Sequence, residues 1–202
     1  LTQRHGETTH YRHQVLEAKL LGPAHTVFSI ATEFIDNRDT QGVAAGASQE
    51  QVKQDCELKA LRRLMAGLRA EFPQVRLCLN GDSLYACGEG FQVAQDYRCD
   101  FIYVFKPGRL PAVWKDFQGL LRLCPDQSVE ILTPQGVRQV YRWINGLCYT
   151  DSDGRDWSFH AIHCRETKGD REPTEWAWVT SLEVNRETVV EVATKGGRQR
   201  WC

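Results

Sequence analysis

The sequence predicts an α/β protein in which helices flank a mixed sheet and a β-rich insertion precedes the final helix. This expectation rests on the order of the elements. In residues 1–127, short apolar runs typical of strands alternate with segments of helical periodicity. Residues 128–170 then change to strand-like runs separated by turns, and an apolar strand and a helix follow. Alternation of strands and helices is typical of parallel strands joined by crossovers.

Two strands and a long helix open the chain. Residues 11–21 and 26–35 are rich in β-branched and aromatic residues, and Gly22-Pro23 between them predicts a turn and an antiparallel pair. After a polar loop, Ser48 and Gln51 match a capping box. A helix that ends at Pro73 is then predicted from apolar residues at helical spacing: Leu61, Leu64, Met65, Leu68 and Phe72.

Two buried strands follow this helix. Residues 76–82 form an apolar run that ends in Gly81-Asp82, and residues 100–106 form a second run. A helix over 89–97 lies between them, so we expect parallel strands joined by a crossover, with the opening pair adding an antiparallel edge. Another helix is predicted over residues 110–121.

The second half of the chain has the character of an insertion followed by a return to the core. Asp153-Gly154 predicts a hairpin within residues 128–170. Trp176 and Trp178 share one face of the next strand, which predicts that both belong to the core. Asn185 is placed to cap a last helix, weakened at Gly196-Gly197. We therefore predict a core over 1–127, an insertion over 128–170 and a return to the core over 171–202.

Composition excludes several classes of protein. Lys and Arg number 25 and Asp and Glu 26, so the formal charge is −1 and a nucleic-acid partner requires local basic patches. A hydrophobic fraction of 42% is typical of a globular protein and not of a disordered one. No apolar run approaches the roughly 20 residues of a membrane-spanning helix. The 8 cysteines lack the close, regular spacing of a small secreted protein and mostly have apolar neighbours, as in Leu77-Cys78-Leu79, so we expect reduced, buried thiols and a cytoplasmic protein. No Cys-x-x-Cys pair occurs, which argues against the common zinc and redox motifs.

The element order, an antiparallel pair and then helix, strand, helix, strand, insertion and final helix, is that of the ribonuclease-H-like fold without its first strand. Four ordered segments, spread over nearly the whole chain, also resemble bacterial DDE transposases of the insertion sequence four group. They are residues 11–18 (YRHQVLEA), 28–35 (FSIATEFI), 54–58 (QDCEL) and 81–86 (GDSLYA).

The resemblance implies a DNA transposase that cuts and joins transposon ends. In this family three carboxylates hold two divalent ions, Mg²⁺ or Mn²⁺, for attack on a phosphodiester. Asp82 matches the second aspartate, which implies a catalytic and metal-ligating role. Double-stranded DNA, at transposon ends and target, and a second copy in the synaptic complex are the implied partners, and the bacterial nucleoid is the implied location.

The resemblance also implies that both ends of the chain are cut. The first aspartate would lie on a strand before Leu1. The glutamate belongs to a signature in which Arg200 fits the arginine and Gly197 stands at the tyrosine position, so it would come two residues after Cys202. We therefore expect this chain alone to be inactive.

Basic residues near the expected glutamate form a candidate DNA-binding patch: Lys195, Arg198 and Arg200. Arg138, Arg142 and Trp143 in the insertion form a second candidate patch. The alternative for both patches is a solvated face whose indole packs in the core.

Alternative interpretations remain for other motifs. Asp82 also fits a turn aspartate after a strand. His160 and His163 suggest zinc, but strand residues three apart point to opposite faces, which argues against it. Residues 151–154 (DSDG) begin like a calcium loop, but the glycine and glutamate that the loop needs further on are missing, so a hairpin turn explains them better.

Two alternatives to the transposase function stay open. An inactive remnant would serve as a DNA-binding or interaction module on the same fold. A related nuclease without strand transfer would keep the same metal site.

Overall fold

The computed structural model describes residues 2–5, 8–11, 14–22, 26–35 and 49–198. Its contacts divide the chain into two compact units, residues 1–75 and 76–202. The predicted division into core, insertion and return to the core follows the character of the sequence, not the contacts, and stays a prediction. Ser48 of the predicted capping box lies outside the described residues.

The described residues of the first unit form two antiparallel strand pairs and one helix. Strands β1 (Thr2–His5) and β2 (Thr8–Tyr11) form one pair. Strands β3 (Val15–Leu21) and β4 (Val27–Phe34) form the other, which confirms the predicted antiparallel pair. Helix α1 (Gln49–Glu71) contacts both β3 and β4.

Helix α1 is held to β4 by one arginine. The Nε atom of Arg63 lies 2.9 Å from a carboxylate oxygen of Glu33, and the same guanidinium donates to the carbonyl of Phe34. The predicted apolar stripe is buried at Leu61, Leu64, Met65 and Leu68, whereas Phe72 is 39% exposed just beyond the helix end. The helix ends at Glu71, two residues before the predicted stop at Pro73, and the backbone nitrogen of Phe72 still donates a 2.8 Å hydrogen bond to the carbonyl of Leu68.

The second unit is built on a six-stranded mixed sheet with the strand order β5-β6-β10-β9-β8-β7. Strands β5 and β6 are parallel, as predicted, and every other neighbouring pair is antiparallel. The strands are β5 (Cys78–Gly81), β6 (Asp100–Val104), β7 (Ser128–Leu132), β8 (Arg138–Thr150), β9 (Asp156–Thr167) and β10 (Thr174–Thr180).

Strands β7 to β10 supply the antiparallel part of this sheet, not the opening pair as we predicted. Residues 128–170, predicted as a β-rich insertion, contribute β7, β8 and β9. Long strands β8 and β9 can form a hairpin without a crossover, which is why this region lacks the helices that separate parallel strands.

Helices cover both faces of the six-stranded sheet. They are α2 (Gly88–Asp96), α3 (Pro111–Leu123), α4 (Val189–Glu191) and a π-helical segment (Val192–Gly197) that continues α4. On one face, the ring centroid of Phe91 in α2 lies 5.1 Å from those of Phe101 and Phe159, in tilted arrangements. The ring centroids of Phe117 in α3 and Phe105 are 6.1 Å apart. We call this the aromatic face.

The opposite face, here called the last-helix face, carries an aliphatic and indole core. Ile102, Ile162 and Trp178 pack there against Val189 and Ala193 of the last helical turns, and all five are buried. The described fold is therefore an α/β sandwich with a mixed sheet between helices.

The two tryptophans of β10 lie on one face of the strand, as the alternation of strand residues predicts, but they differ in burial. Trp178 is 1% exposed, but Trp176 is 40% exposed, so its predicted core position was wrong. Trp143 is buried on the last-helix face, whereas Arg138 and Arg142 face the other way. The predicted patch of these three residues is therefore divided between two faces.

The calcium-like motif is a hairpin turn, as predicted. Asp151 accepts hydrogen bonds of 2.9 Å from the backbone of Asp153 and Arg155 and from the indole of Trp157. Gly154 has a φ of +77°, a conformation that glycine adopts at no steric cost. These contacts join β8 to β9.

The described residues also bear on the expectations for the cysteines and for a membrane-spanning helix. Cys164 is buried, but Cys78 and Cys148 are exposed, so the expectation that Cys78 is buried was wrong. Within the described ranges, no helix combines the length and apolar character needed to cross a membrane.

Candidate functional site

Asp82 lies directly after the carboxyl end of β5, in an exposed turn. Its Oδ1 atom accepts a 2.8 Å hydrogen bond from the backbone nitrogen of Leu84. A short aspartate side chain that accepts from the backbone two residues later stabilises such a turn. One carboxylate oxygen of Asp82 thus shapes the turn.

Close packing accounts for the glycine of the Gly-Asp motif. A Cβ atom on Gly81 would lie 2.6 Å from Cδ2 of Tyr85 and 3.1 Å from Cδ1 of Tyr103. Because real Cβ atoms do not approach other atoms so closely, only glycine lets the ring of Tyr85 fold back over β5. The motif therefore fixes the position at which Asp82 leaves the strand.

Arg109, in the loop after β6, holds the same turn from the other side. Its Nε donates a 2.9 Å hydrogen bond to the carbonyl of Ser83, and a terminal nitrogen donates one of 3.3 Å to the carbonyl of Leu84. Because β5 and β6 are parallel, both loops emerge at one edge of the sheet. Arg109 is a positioning residue for Asp82 that sequence reasoning missed.

Asn185 caps the turn that leads into the last helical segment, whereas helix α4 itself begins at Val189, with Thr188 at the N-cap position. The Oδ1 atom of Asn185 accepts hydrogen bonds from the backbone nitrogens of Glu187 and Thr188, at 2.9 and 3.0 Å. The segment runs as α4 from Val189 and changes to a π-helix at Val192. The predicted weakening at Gly196-Gly197 thus coincides with the end of a π-helical turn.

The two glycines bring this segment into contact with the sheet. A Cβ on Gly196 would meet Cδ1 of Ile102, and one on Gly197 would lie 2.5 Å from Nε1 of Trp178. Asn80 of β5 donates a short hydrogen bond to the carbonyl of Gly196. The last helical segment is therefore tied to the strand that leads into Asp82.

Arg198 follows the π-helical turn and enters a polar network on the last-helix face. Its guanidinium donates to Oε1 of Glu166 at 2.7 Å and to Sγ of Cys164 at 3.2 Å. Gln139 also donates a short hydrogen bond to Glu166. Sequence reasoning placed Arg198 in a phosphate-facing patch, whereas the structure pairs it with Glu166.

The charge state of Glu166 follows from this network. Burial acts to raise the pKa of Glu166, but the hydrogen bonds from Arg198 and Gln139 outweigh burial, so this pKa lies below its ordinary value. Burial has the main effect on Cys164, raising the pKa of its thiol to about 11. Glu166 is therefore a carboxylate and Cys164 a thiol near neutral pH.

The other predicted DNA-binding residues are placed differently. Lys195 is exposed and pairs at 2.8 Å with Glu191, one helical turn earlier. Arg200 lies outside the described residues. Lys195 and Arg198 thus do not form one patch, because Arg198 turns toward Glu166.

The described residues bring few metal-ligating side chains together. They contain no group of three or more His, Cys, Asp or Glu side chains able to hold an ion. His160 and His163 lie on opposite faces of β9, as predicted, and His163 instead contacts Glu175 at 3.4 Å. Asp82 offers one hard oxygen ligand, and one carboxylate does not hold two ions.

Comparison with protein-family models and with curated proteins gave no match to this chain.

Proposed function

We propose that this chain is part of the catalytic core of a DNA transposase, with a ribonuclease-H-like fold and Asp82 as one of its metal-ligating carboxylates. One observation carries the proposal: the last helical segment is bound to β5 through Asn80 and Gly196, next to the strand end that presents Asp82. Carboxylates at strand ends and on a late helix are what this fold uses for phosphoryl transfer. The four sequence segments described above support the same function.

The metal requirement limits what the described residues can do alone. Asp82 fits one ligand position of Mg²⁺ or Mn²⁺, which bind hard oxygen ligands. A single carboxylate does not fix two ions, so these residues do not by themselves form the two-metal centre that the family uses. The role assigned to this chain is to present Asp82 in a turn fixed by Arg109.

The proposal defines the partners. Double-stranded DNA, as transposon ends and target, is the substrate, and assembly on paired ends requires self-association of the protein. DNA as a substrate implies action at the bacterial nucleoid.

Transposition by the complete open reading frame that encodes this chain tests the proposal. We expect a donor plasmid that carries the flanking DNA of the gene to release the element and join it to a target with Mg²⁺ or Mn²⁺. Asp82→Asn removes one charged ligand, so excision should fall by at least about 100-fold. Asp126→Asn, an exposed turn aspartate after α3, is the matched control and should keep activity.

The same assay separates the competing functions. Excision that survives Asp82→Asn would remove Asp82 from the metal site. Cleavage without joining, when a free 3′-hydroxyl end is supplied, would indicate a nuclease without strand transfer.

A second function, a DNA-binding or interaction module without catalysis, is favoured by the hydrogen bond from Leu84 to Asp82. That bond gives the aspartate a structural purpose without any metal. This function would show as DNA binding by the wild-type protein with no cleavage under any divalent ion.

A further inference from the structure

An arginine-rich groove lies on the aromatic face, beyond the part that α2 covers. It has a volume of about 600 Å³ and receives side chains from α3, β8, β9 and β10. The charged and titratable residues that line it are Arg122, Arg138, Arg142, His163, Arg165 and Glu175. We call it the arginine groove.

Strand register brings the arginines together. Arg142 of β8 lies opposite His163 of β9, and Arg165 lies opposite Val140, between the two arginines of β8. Neighbouring strands are about 4.8 Å apart, and residues two apart on a strand are separated by about 7 Å. Guanidinium groups from two strands and from Arg122 of α3 therefore open into one space.

The acidic residues around the groove neutralise only part of this charge. Glu130 binds Arg138 through two hydrogen bonds of 2.6 Å. Glu175 lies 3.9 Å from Arg165 and 3.4 Å from His163. In the part of the chain that the structure describes, neither Arg122 nor Arg142 has an acidic partner. An excess of positive charge thus remains in the groove.

Two properties of the groove favour a phosphate ligand. Arginine presents a planar array of donors that matches phosphate oxygens, and Arg122, Arg138 and Arg165 are exposed, so their donors are accessible to a ligand. The whole chain carries a formal charge of −1, so the excess of positive charge in the groove is local and does not follow from the overall charge.

The pKa of His163 depends on the charges around the groove. Burial lowers its pKa, Glu175 raises it, and the nearby guanidinium groups of Arg142 and Arg165 lower it further, so the pKa lies below the ordinary value. A bound anion would oppose the effect of these two arginines and raise this pKa.

We propose that the arginine groove binds phosphate groups of the DNA backbone. The choice of DNA as the ligand rests on the proposed function. Arg122 and Arg142 make the new phosphate contacts, since Glu130 and Glu175 already bind the other two arginines. Contacts of this kind position a duplex without reading its sequence. The groove lies on the face opposite Arg198 and its network.

Binding of a fluorescein-labelled mixed-sequence duplex, with a chelator present to remove divalent ions, tests the groove apart from any metal at Asp82. We expect Arg142→Ala and Arg122→Ala each to weaken binding several-fold and to reduce the slope of log affinity against log salt by about 1. Arg142→Lys keeps the charge but not the planar donors, so it should keep the wild-type salt slope and bind more tightly than Arg142→Ala. Arg186→Ala, an exposed arginine before α4, should leave both quantities unchanged.

Nuclear magnetic resonance of His163 gives a second readout and distinguishes free phosphate from DNA. We expect the duplex to raise the pKa of His163 in the wild type and to raise it less in Arg142→Ala, whose folding is checked by circular dichroism. Unchanged affinity and salt slope in Arg142→Ala would overturn the proposal. A His163 shift with inorganic phosphate but none with the duplex would overturn it as well.

The outcomes also separate this inference from the proposed function. Loss of binding in the arginine variants, in a protein that never cleaves DNA, would support the groove and contradict the transposase. Excision that depends on Asp82, together with normal DNA binding by Arg142→Ala, would support the transposase and contradict the groove.

Discussion

The guanidinium of Arg198 lies 2.7 Å from a carboxylate oxygen of Glu166 and over the rings of Trp176 and Trp178, at 5.7 and 5.9 Å from their centroids. The two charged side chains keep only 26% and 20% of their exposure. The ion pair therefore fastens the end of the last helical segment to β9 and β10.

Removal of the Arg198 side chain should destabilise the second unit. Arg198→Ala leaves the partly buried carboxylate of Glu166 without its charged partner, so we expect the free energy of unfolding to fall by about 1–3 kcal/mol. Urea denaturation measures this. Lys195→Ala breaks only an exposed pair with Glu191 and should leave the midpoint unchanged. Equal midpoints for the two variants would contradict the assigned role of Arg198.

The Glu166 carboxylate should make stability depend on acid. Because the pKa of Glu166 is lower in the folded state than in the unfolded state, its contribution is present above about pH 4.3 and is lost as pH falls through the folded-state pKa. We expect Glu166→Gln to flatten the fall of the unfolding free energy with pH in this range. Chemical denaturation at a series of pH values between about 2 and 7 measures it. An unchanged slope would show that Glu166 titrates alike in both states.

The π-helical turn should not accept a side chain at its end. Gly197→Ala places a Cβ 2.5 Å from Nε1 of Trp178, so overpacking should cost about 1–3 kcal/mol and raise the exposure of the indole. Thermal melting and tryptophan fluorescence measure the two effects. Gly119→Ala in α3 has open space around it and should be neutral or slightly stabilising. A Gly197→Ala variant as stable as the control would mean that the segment can move away from β10.

Arg109 should control the geometry of the Asp82 turn. Arg109→Ala removes the donors to the carbonyls of Ser83 and Leu84, so we expect faster amide hydrogen exchange in residues 82–85 and a stability loss of about 1–2 kcal/mol. Lys106→Ala, an exposed neighbour in the same loop, is the matched control. Exchange that is equally fast in both variants would show that the turn holds its shape without Arg109.

Local signals in the sequence predicted much of the fold. Apolar runs located β5 and β6, the helix between them predicted their parallel pairing, and Asn185 marked the turn that leads into the last helical segment. These features depend on residues close together in the chain, where periodicity and hydrogen-bonding capacity act directly. Gly81-Asp82 was located for the same reason.

The remaining features depend on residues far apart in the chain. Arg198 and Glu166 are 32 residues apart, and nothing near either one indicates the pair. Strand alternation places Trp176 and Trp178 on the same face but does not reveal how far along β10 the covering helix extends. Arg109 has no sequence signal, because its role arises only when two parallel strands bring their loops together.

The central position of β10 has a consequence for synthesis of the chain. Strand β10 is the last of the sheet to be made, yet it alone joins β6 to β9. Until residues 174–180 leave the ribosome, the parallel pair and the β7 to β9 meander remain two fragments with open edges, which are prone to pair with other chains. We therefore expect the second unit to assemble only after its final strand emerges, and the nascent chain to be most prone to aggregation in that interval.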